Sequence, residues 1–291
     1  MWPQPDAPEV VEQMRTAHRQ ARTALNLHPG PITKEIWGWH GRTLSGPVHT
    51  TTGTAWLRLA RASTEQKIAT FWDGNIAAEE SIPASIPRPR LRMWHDWTAG
   101  PWKYRAELYD YVSDIPASPA PIITTEPDLP RSWWASLKGA LNNITTTPTR
   151  RVTIHQSFLD RAMPHYLGTP INTTAPSWST AHGDLHFANV TAPKLLLLDW
   201  EGWGLAPTAY DIATLHTYSL LVPSVTARIR HEFADLLGTP AGHFAELAVI
   251  TELLHTNNSG ILATSVRTRS TQLLNRSIPC NPNAAAEQAA T

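Results

Sequence analysis

The spacing of apolar residues predicts a helix followed by short antiparallel strands at the start of the chain. Apolar side chains recur every three or four residues over Pro8 to Leu27, which is typical of an amphipathic helix. The sequence His28-Pro29-Gly30-Pro31 ends that helix. From Ile36 to Ala60 the apolar pattern becomes that of strands, with turn signals at Ser45-Gly46 and Thr52-Gly53. We therefore expect a three-stranded meander in this segment.

The rest of the chain separates into a strand region, a proline-rich loop and a helical region. A short helix over Asn75 to Ile82 and two strands, Pro87 to Asp96 and Lys103 to Val112, are expected before residue 113. Residues 113–130 hold five prolines and little periodicity, which indicates a loop. Helices are then predicted over Arg131 to Asn143, Arg151 to Leu167, Ala209 to Leu220, Val225 to Leu237 and Ala241 to Thr256. The resulting fold class is α+β.

Charge and composition argue against several classes of protein. Lysine plus arginine and aspartate plus glutamate number 24 each, so the net charge is zero, without the basic excess of a nucleic-acid binder or a membrane-surface protein. No apolar run approaches the ~20 residues that span a bilayer, and the N-terminus lacks the basic start of a secretion signal. A single cysteine, Cys280, excludes an internal disulfide framework. We expect a cytoplasmic protein that binds neither nucleic acid nor membrane.

Tryptophan is abundant, with 13 in the chain, and seven of these crowd the predicted strand region. Aromatic side chains supply large buried areas and pair well across strands. We interpret these seven as core residues rather than a stacking platform for a ligand: Trp37, Trp39, Trp56, Trp72, Trp94, Trp97 and Trp102.

One short block concentrates the groups that can carry chemistry. Six side chains capable of binding a proton or a metal fall within 20 residues: His182, Asp184, His186, Asn189, Asp199 and Glu201. A tight hairpin around Ala192-Pro193-Lys194 would bring Asn189 close to Asp199. An amide oxygen and a carboxylate suit Mg²⁺, which usually takes its other ligands from water and phosphates. Asp184, on the loop that enters the hairpin, could accept a proton from an attacking hydroxyl.

The sequence HGDLHFAN at residues 182–189, followed by Asp199-Trp200-Glu201, resembles the aminoglycoside phosphotransferase and choline kinase family, relatives of the protein kinases. The five-residue step from Asp184 to Asn189 matches the kinase catalytic loop. The resemblance is strong over residues 178–215. It implies a bilobal, protein-kinase-like fold with a small antiparallel-sheet N-lobe and a mainly helical C-lobe. We expect an N-terminal helix (1–30), a nucleotide-binding N-lobe (31–112) and a catalytic and substrate-binding C-lobe (113–277). The polar and alanine-rich composition of residues 278–291 predicts a disordered tail.

The resemblance also implies roles for individual residues, with ATP and Mg²⁺ as cosubstrate and cofactor. Asp184 would orient and deprotonate the acceptor hydroxyl, while Asn189 and Asp199 would hold Mg²⁺. The adenine would contact the chain near Leu108 to Val112, which includes Tyr109 and Val112. Supporting roles fall to His182, His186, Glu201 and Asp211. For His182, hydrogen bonds that hold the loop are the favoured interpretation, and Asp211 is expected to anchor the loop or cap a helix.

The predicted N-lobe departs from the family pattern. Gly38, Gly41 and Gly46 do not form a strict G-x-G-x-x-G, and the strand that should offer a lysine to the phosphates offers Arg58. Lys67 is an alternative cation. The partner carboxylate of this cation would be Glu79 or Glu80 on the short helix, and the sequence does not choose between them.

Three functions remain open at this stage. The first is an ATP-dependent phosphotransferase that transfers the γ-phosphoryl group to a hydroxyl of a small polar molecule, such as an aminoglycoside-like compound, a sugar or an amino alcohol. The second is a kinase-fold pseudoenzyme that binds a nucleotide or a partner. The third is a metal-dependent hydrolase that uses the histidines and aspartates of the polar block. The sequence gives no indication of the acceptor or of the oligomeric state.

Overall fold

A computed structural model describes residues 3–29, 35–65, 69–256 and 260–277. The chain forms two compact units by its internal packing. The first contains Met1–Thr153 and Ser179–Ala206, and the second contains Ile154–Trp178 and Pro207–Thr291. The polar block at residues 182–201 therefore packs with the N-terminal unit. This division differs from the lobe boundary expected after residue 112, and the functional lobes stay a prediction.

The first unit carries the sheet. Its elements are α1 (Pro8–Ala24), β1 (His28–Pro29), β2 (Ile36–Trp37), β3 (Thr43–Thr50), β4 (Gly53–Ser63), α2 (Ala69–Trp72), α3 (Gly74–Ser81), β5 (Leu91–Ala99), β6 (Trp102–Asp110), β7 (Ile115–Pro116), α4 (Arg131–Thr145) and β9 (Thr191–Ala192). The short strands β8 (Trp178–Ala181) and β10 (Gly204–Pro207) pair with each other where the chain passes from one unit to the next. Helix α1 and the short helix α3 agree with the sequence prediction.

The main sheet is antiparallel, in the order β1-β3-β4-β6-β5 with β2 also paired to β3. One of its faces is apolar and packs against α1, whose buried Met14, Ala17 and Ala21 meet Leu57 and Leu59 of β4. Residues i and i+2 of a strand share a face, so Arg58 between those leucines points to the opposite side. The sheet therefore has one face for the core and one for polar groups.

The register of the central strands assembles that polar face. Arg58 of β4 lies directly opposite Glu107 of β6 and Ser45 of β3. Trp56 lies opposite Tyr109 in the same way, and Ala60 opposite Arg105. Directly opposed side chains on one face lie close enough to interact. The sheet thus places a cation against a carboxylate at its centre.

One prediction for this region was wrong, and another holds for only some of its residues. Ser45-Gly46 is not a turn, because β3 continues through it and pairs with β4 without interruption. Of the seven tryptophans assigned to the core, only Trp37 is buried, and Trp39 and Trp94 are more than two-fifths exposed. Trp97 and Trp102 are partly buried and pack against the core that contains Trp37, whereas Trp72 stacks with Lys103 and Arg105.

The second unit is helical. Its helices are α5 (Gln156–Leu167), α6 (Tyr210–Tyr218), α7 (Pro223–Glu232), α8 (Ala234–Leu237), α9 (Pro240–His255) and α10 (Ala263–Ser277). The helix expected from Arg151 begins only at Gln156, because Val152 forms a parallel bridge with Leu205 instead. Helix α10 was not predicted. The expected tail at 278–291 lies outside the described residues. No helix in the described part of the chain is long and apolar enough to cross a membrane.

A buried carboxylate ties the helices of the second unit together. Glu246 of α9 is fully buried and accepts two hydrogen bonds from Arg269 of α10, at 2.7 and 2.8 Å. His216 of α6 lies 3.2 Å from the same carboxylate, and Arg230 of α7 lies 3.5 Å from it. Burial alone would raise the pKa of Glu246, but the hydrogen bonds from His216 and Arg269 lower it to about 2.

We expect Glu246→Gln to lower the free energy of unfolding by about 3 kcal/mol, because it leaves a buried guanidinium without its counter-charge. The depressed pKa also sets a pH signature. The stabilisation by Glu246 is present above the ordinary value of 4.5 and is lost as the pH falls towards about 2. Urea unfolding at pH 7 and at pH 3 measures both effects.

The matched control for this substitution is Glu232→Gln, which breaks the partly exposed i,i+4 pair with Arg228 in the same unit. Its expected cost is below about 1 kcal/mol. Equal stability losses in the two variants would contradict a structural role for the buried cluster.

Candidate active site

His182 holds the polar loop in place. Its ring is fully buried, and Nε2 donates to the carbonyl oxygen of Leu198 at 2.9 Å. Since a carbonyl only accepts, Nε2 carries the proton and Nδ1 can accept from the backbone N–H of Asp184, at 3.4 Å. Burial lowers the pKa of His182 to about 4, so the ring is neutral at pH 7. These contacts agree with the loop-holding role expected for His182.

Gly183 allows the loop to approach the segment after Asp199. Its φ is +88°, in the left-handed region that favours glycine. A Cβ atom there would lie 2.7 Å from the carbonyl oxygen of Gly202 and 2.8 Å from Thr153 Cγ2. The glycine before Asp184 is therefore required both by its backbone angle and by the close packing of two chain segments.

Asp184 and Asn189 are in direct contact. The Asn189 amide nitrogen donates to the Asp184 carboxylate at 3.0 Å and to the Asp184 carbonyl at 2.9 Å. His186 Nε2 lies 3.5 Å from the other carboxylate oxygen. Burial would raise the pKa of Asp184, but the nearby His186 and the Asn189 amide lower it below its ordinary value. Asp184 is therefore an ionised carboxylate at neutral pH, half of whose side-chain surface is accessible to solvent.

The hairpin expected after Asn189 is present and brings Asp199 next to it. Val190 and Leu197 form an antiparallel bridge, and the Leu198 N–H donates to the Asn189 carbonyl at 2.8 Å. Asp199 itself has φ of +59°, which is uncommon for a residue other than glycine and recurs at functional sites. Restricted access of water and the neighbouring charge of Glu201 raise the pKa of Asp199, and Arg58 offsets part of this rise.

Arg58 joins the sheet to this loop. Its Nη1 donates to Glu107 Oε2 at 3.0 Å, and its Nη2 donates to Glu201 Oε2 at 2.5 Å. The same Nη2 lies 3.9 Å from Asp199 Oδ1. Burial disfavours the charge of Arg58, but the three carboxylates together raise its pKa well above the ordinary value. Arg58, which stands where the family pattern has a lysine, thus lies beside Asp199, the candidate metal ligand.

Glu107 was missed by the sequence analysis. Its side chain is only 1% exposed, and Oε2 accepts from Asn75 Nδ2 at 2.9 Å and from the Tyr109 hydroxyl at 3.0 Å, in addition to Arg58. A signal for it was available in the sequence KYRAELYDYV, where strand alternation places Arg105, Glu107 and Tyr109 on one face. The charged residue in the middle of a predicted inner strand was the anomaly to pursue.

The helix carboxylates do not fill the expected role among the described residues. Glu79 pairs with Arg90 and with Arg88, and Glu80 is exposed. The expectation that Glu79 or Glu80 partners Arg58 was therefore wrong, because Arg58 pairs with Glu107 and Glu201 instead. Lys67, the alternative cation, lies outside the described residues.

The start of α3 packs tightly on the segment that follows Asp199. A Cβ atom at Gly74 would lie 2.0 Å from the carbonyl oxygen of Glu201, so only glycine fits this approach. Trp203 Nε1 donates to the Gly74 carbonyl at 2.9 Å. The next residue, Asn75, is the one that reaches Glu107. Helix α3 therefore supports the site through its first turn and not through Glu79 or Glu80.

A pocket opens on the polar face of the sheet beside these groups. The residues that line it include Arg42, Thr43, Arg58, Phe71 and Glu201. Arg42 follows the turn Trp39–Gly41 between β2 and β3, at the place where a glycine-rich phosphate loop was sought. This small cleft gathers arginine side chains, Arg42 and Arg58 among them, around the carboxylates of Glu107 and Glu201.

The remaining predicted residues are placed as follows. Tyr109 lies at the end of β6, where burial and the charge of Glu107 raise its pKa well above the ordinary value. Val112 follows β6 in an extended segment and is half-buried. Asp211 belongs to the second unit and is buried in the first turn of α6. The roles assigned to these three stay predictions.

The donor set fits Mg²⁺ bound together with a nucleotide. Asn189 uses its amide nitrogen on Asp184, which leaves its Oδ1 oxygen as the end suited to a cation. With Asp199 this provides one amide oxygen and one carboxylate, the hard ligands that Mg²⁺ prefers. Among the described residues, no three histidine, cysteine or acidic side chains are grouped to hold a metal ion.

Several solved structures have a similar fold over most of the length of this chain. A spectinomycin phosphotransferase, solved with ADP and spectinomycin, aligns over 88% of this chain and 93% of its own, with a TM-score of 0.51 and 10% sequence identity. This chain has a protein-kinase-like fold. The finding confirms the expected class, with an antiparallel sheet in the N-terminal region and mainly helices in the C-terminal region of the kinase-like chain.

Two further kinases align with lower scores. A microcompartment-associated aminopropanol kinase aligns over 87% of this chain and 95% of the length of the kinase, at 14% sequence identity and with a TM-score of 0.49. An ethanolamine kinase from Plasmodium vivax covers 86% and 83%, at 11% identity and a TM-score of 0.48. The spectinomycin phosphotransferase, like the family that the HGDLHFAN motif resembles, is a small-molecule phosphotransferase. No protein-family model and no curated protein matches the sequence.

Proposed function

We propose that this chain is an ATP-dependent phosphotransferase that transfers the γ-phosphoryl group to a hydroxyl of a small polar molecule. The observation that carries the proposal is the assembly of Asp184, Asn189, Asp199 and Arg58 beside one another in the first unit. Phosphoryl transfer needs a base, a metal site and a phosphate-binding cation more than it needs covalent chemistry. These four residues supply one base, two metal ligands and one cation.

Asp184 is the proposed catalytic base. Its carboxylate is ionised at neutral pH because His186 and Asn189 lower its pKa. It is held in orientation by the Asn189 amide, and enough of its surface is open to reach an acceptor hydroxyl. Its role is to orient that hydroxyl and to accept its proton as the oxygen attacks phosphorus.

Asn189 and Asp199 are the residues that would hold Mg²⁺, through one oxygen each. The ion, when bound with ATP, neutralises charge on the phosphate oxygens. Arg58 lies on the same side as Asp199 and would bind a phosphate oxygen through its guanidinium. Tyr109 and Val112, at the end of β6 and just after it, are proposed to contact the adenosine.

Thermal unfolding with nucleotide tests the proposal. Mg-ATP at a hundred times its Kd should stabilise the folded state by roughly 2.7 kcal/mol, which is a shift of several degrees in Tm. ATP with excess EDTA should give a smaller shift, since the ligands of the ion would then be unused. The absence of any shift with Mg-ATP would contradict the proposal.

A nucleotide-binding pseudoenzyme is the second candidate. The observation that favours it is the Arg58 network, in which arginine replaces the usual lysine and is already paired with Glu107 and Glu201. Such a module would show the Tm shift with Mg-ATP but would form no ADP with any acceptor.

We place the activity in the cytoplasm, where ATP is available, and without a nucleic-acid or membrane partner.

A further inference from the structure

Glu107 is the most completely buried acid of the first unit's site. One of its oxygens, Oε2, accepts from Arg58, Asn75 and Tyr109, all at 2.9 to 3.0 Å. A buried carboxylate costs several kcal/mol unless it is paired and hydrogen-bonded. Here it is fully engaged, and its only charged partner among these three is Arg58.

The two terminal nitrogens of the Arg58 guanidinium face different partners, and we call Nη1 the inner arm and Nη2 the outer arm. Nη1 points to the buried Glu107, whereas Nη2 points to Glu201 and Asp199, whose side chains are 28% and 40% exposed. The inner arm is therefore fixed by a partner inside the protein. The outer arm faces the groups that are open to solvent and to the pocket.

The two terminal nitrogens of Arg58 can therefore have separate roles, with Nη1 holding the side chain in place and Nη2 binding a ligand. A guanidinium carries donors on both arms in a rigid fork, so one arm can stay on Glu107 while the other exchanges Glu201 for a phosphate oxygen. Anchoring also reaches α3, because Asn75 of its first turn donates to the same Glu107 oxygen. The strand carboxylate thus links the sheet, the helix and the phosphate-facing cation.

We propose that Glu107 is a positioning residue that holds Arg58 by its inner arm, so that the outer arm binds the phosphates of the nucleotide. This rests on the proposed nucleotide-binding function and assigns to a strand residue the task that the sequence analysis gave to Glu79 or Glu80. The consequence is selective. Loss of the Glu107 charge impairs contacts with phosphates, whereas the amide oxygen of a glutamine at this position still accepts from Tyr109, which is proposed to contact the adenosine.

The test compares Mg-ADP with adenosine as ligands of the full chain, by titration calorimetry, in wild type and in Glu107→Gln. We expect the Kd of Mg-ADP to rise roughly 10- to 100-fold, the size of a lost charge-assisted hydrogen bond, while the Kd of adenosine stays within about twofold. Glu107→Asp keeps the buried charge and shortens the side chain. It should give the same selectivity with a smaller loss, and it serves if the glutamine variant does not fold. Glu12→Gln, on the exposed face of α1, is the matched control.

A double-mutant cycle with Arg58→Gln adds a readout that a purely structural role would not give. If Glu107 acts through Arg58, the cost of Glu107→Gln for Mg-ADP should vanish in the Arg58→Gln background. Equal losses for adenosine and Mg-ADP, additive losses in the cycle, or an unchanged Mg-ADP Kd in a folded Glu107 variant would each overturn the proposal. A wild-type chain that binds no Mg-ADP would overturn the proposed function itself, and this proposal with it.

Discussion

Asp184→Asn should reduce kcat by about 10²- to 10⁴-fold, the usual contribution of a positioned general base. The substitution keeps the shape and the hydrogen bond from Asn189 but removes the charge that accepts the proton. The KM for ATP should change little, because the role proposed for Asp184 is toward the acceptor rather than the nucleotide phosphates. Steady-state kinetics with an acceptor that supports turnover measures both constants.

Asp128→Asn is the control for this substitution, since Asp128 is an exposed acid in the loop before α4. It should leave kcat and KM unchanged. Turnover that survives Asp184→Asn at the wild-type rate would remove Asp184 from the role of base. A rise in KM for ATP with unchanged kcat would assign it to nucleotide binding instead.

Asp199→Asn should lower kcat/KM by about 10³-fold or more, because it removes the one carboxylate proposed to hold the metal ion. Asparagine is the suitable replacement at this position. The backbone of Asp199 has φ of +59°, and asparagine adopts that conformation more readily than alanine does. A loss of activity would then report the missing charge rather than a displaced backbone.

The dependence of nucleotide affinity on Mg²⁺ provides the internal control for Asp199→Asn. Wild type should bind ADP more tightly with Mg²⁺ than with EDTA, whereas the variant should bind it equally in both. A variant that keeps the full Mg²⁺ response would show that the ion is held elsewhere. Near-normal thermal stability without nucleotide would confirm that the fold is intact.

The features of the fold that could be predicted from the sequence are those marked by a regular spacing of apolar residues along a short segment. The three-and-four spacing of Met14, Ala17 and Ala21 predicts α1, and alternation around Arg58 predicts which side of β4 faces away from the core. The turn expected at Ser45-Gly46 is absent because pairing with β4 outweighs the local preference of glycine for a turn. Helix α10 has few apolar residues, and Arg269 and Ser270 are buried between Val266 and Leu273, so the apolar pattern did not reveal it.

In the candidate site, too, the contacts between residues close in sequence could be predicted, whereas those between distant residues could not. Asp184, Asn189 and Asp199 come together through one loop and one hairpin, so their proximity follows from short-range spacing. The pairing of Arg58 with Glu107 joins residues 49 positions apart and depends on the register of β4 and β6. The sequence offers no comparable rule for Asn75, which reaches Glu107 only because the start of α3 packs on Glu201.

Transfer of phosphate to an acceptor is the central claim. The most direct measurement follows ADP release and phosphate-ester formation together, by a coupled assay and by phosphorus NMR, with Mg-ATP and a panel of amino alcohols, amino sugars, sugars and nucleosides. We expect ADP and ester to form in equal amounts with at least one class of acceptor, and both to be lost in Asp184→Asn. Binding of Mg-ATP without ester formation on any acceptor would contradict the account and identify a nucleotide-binding module.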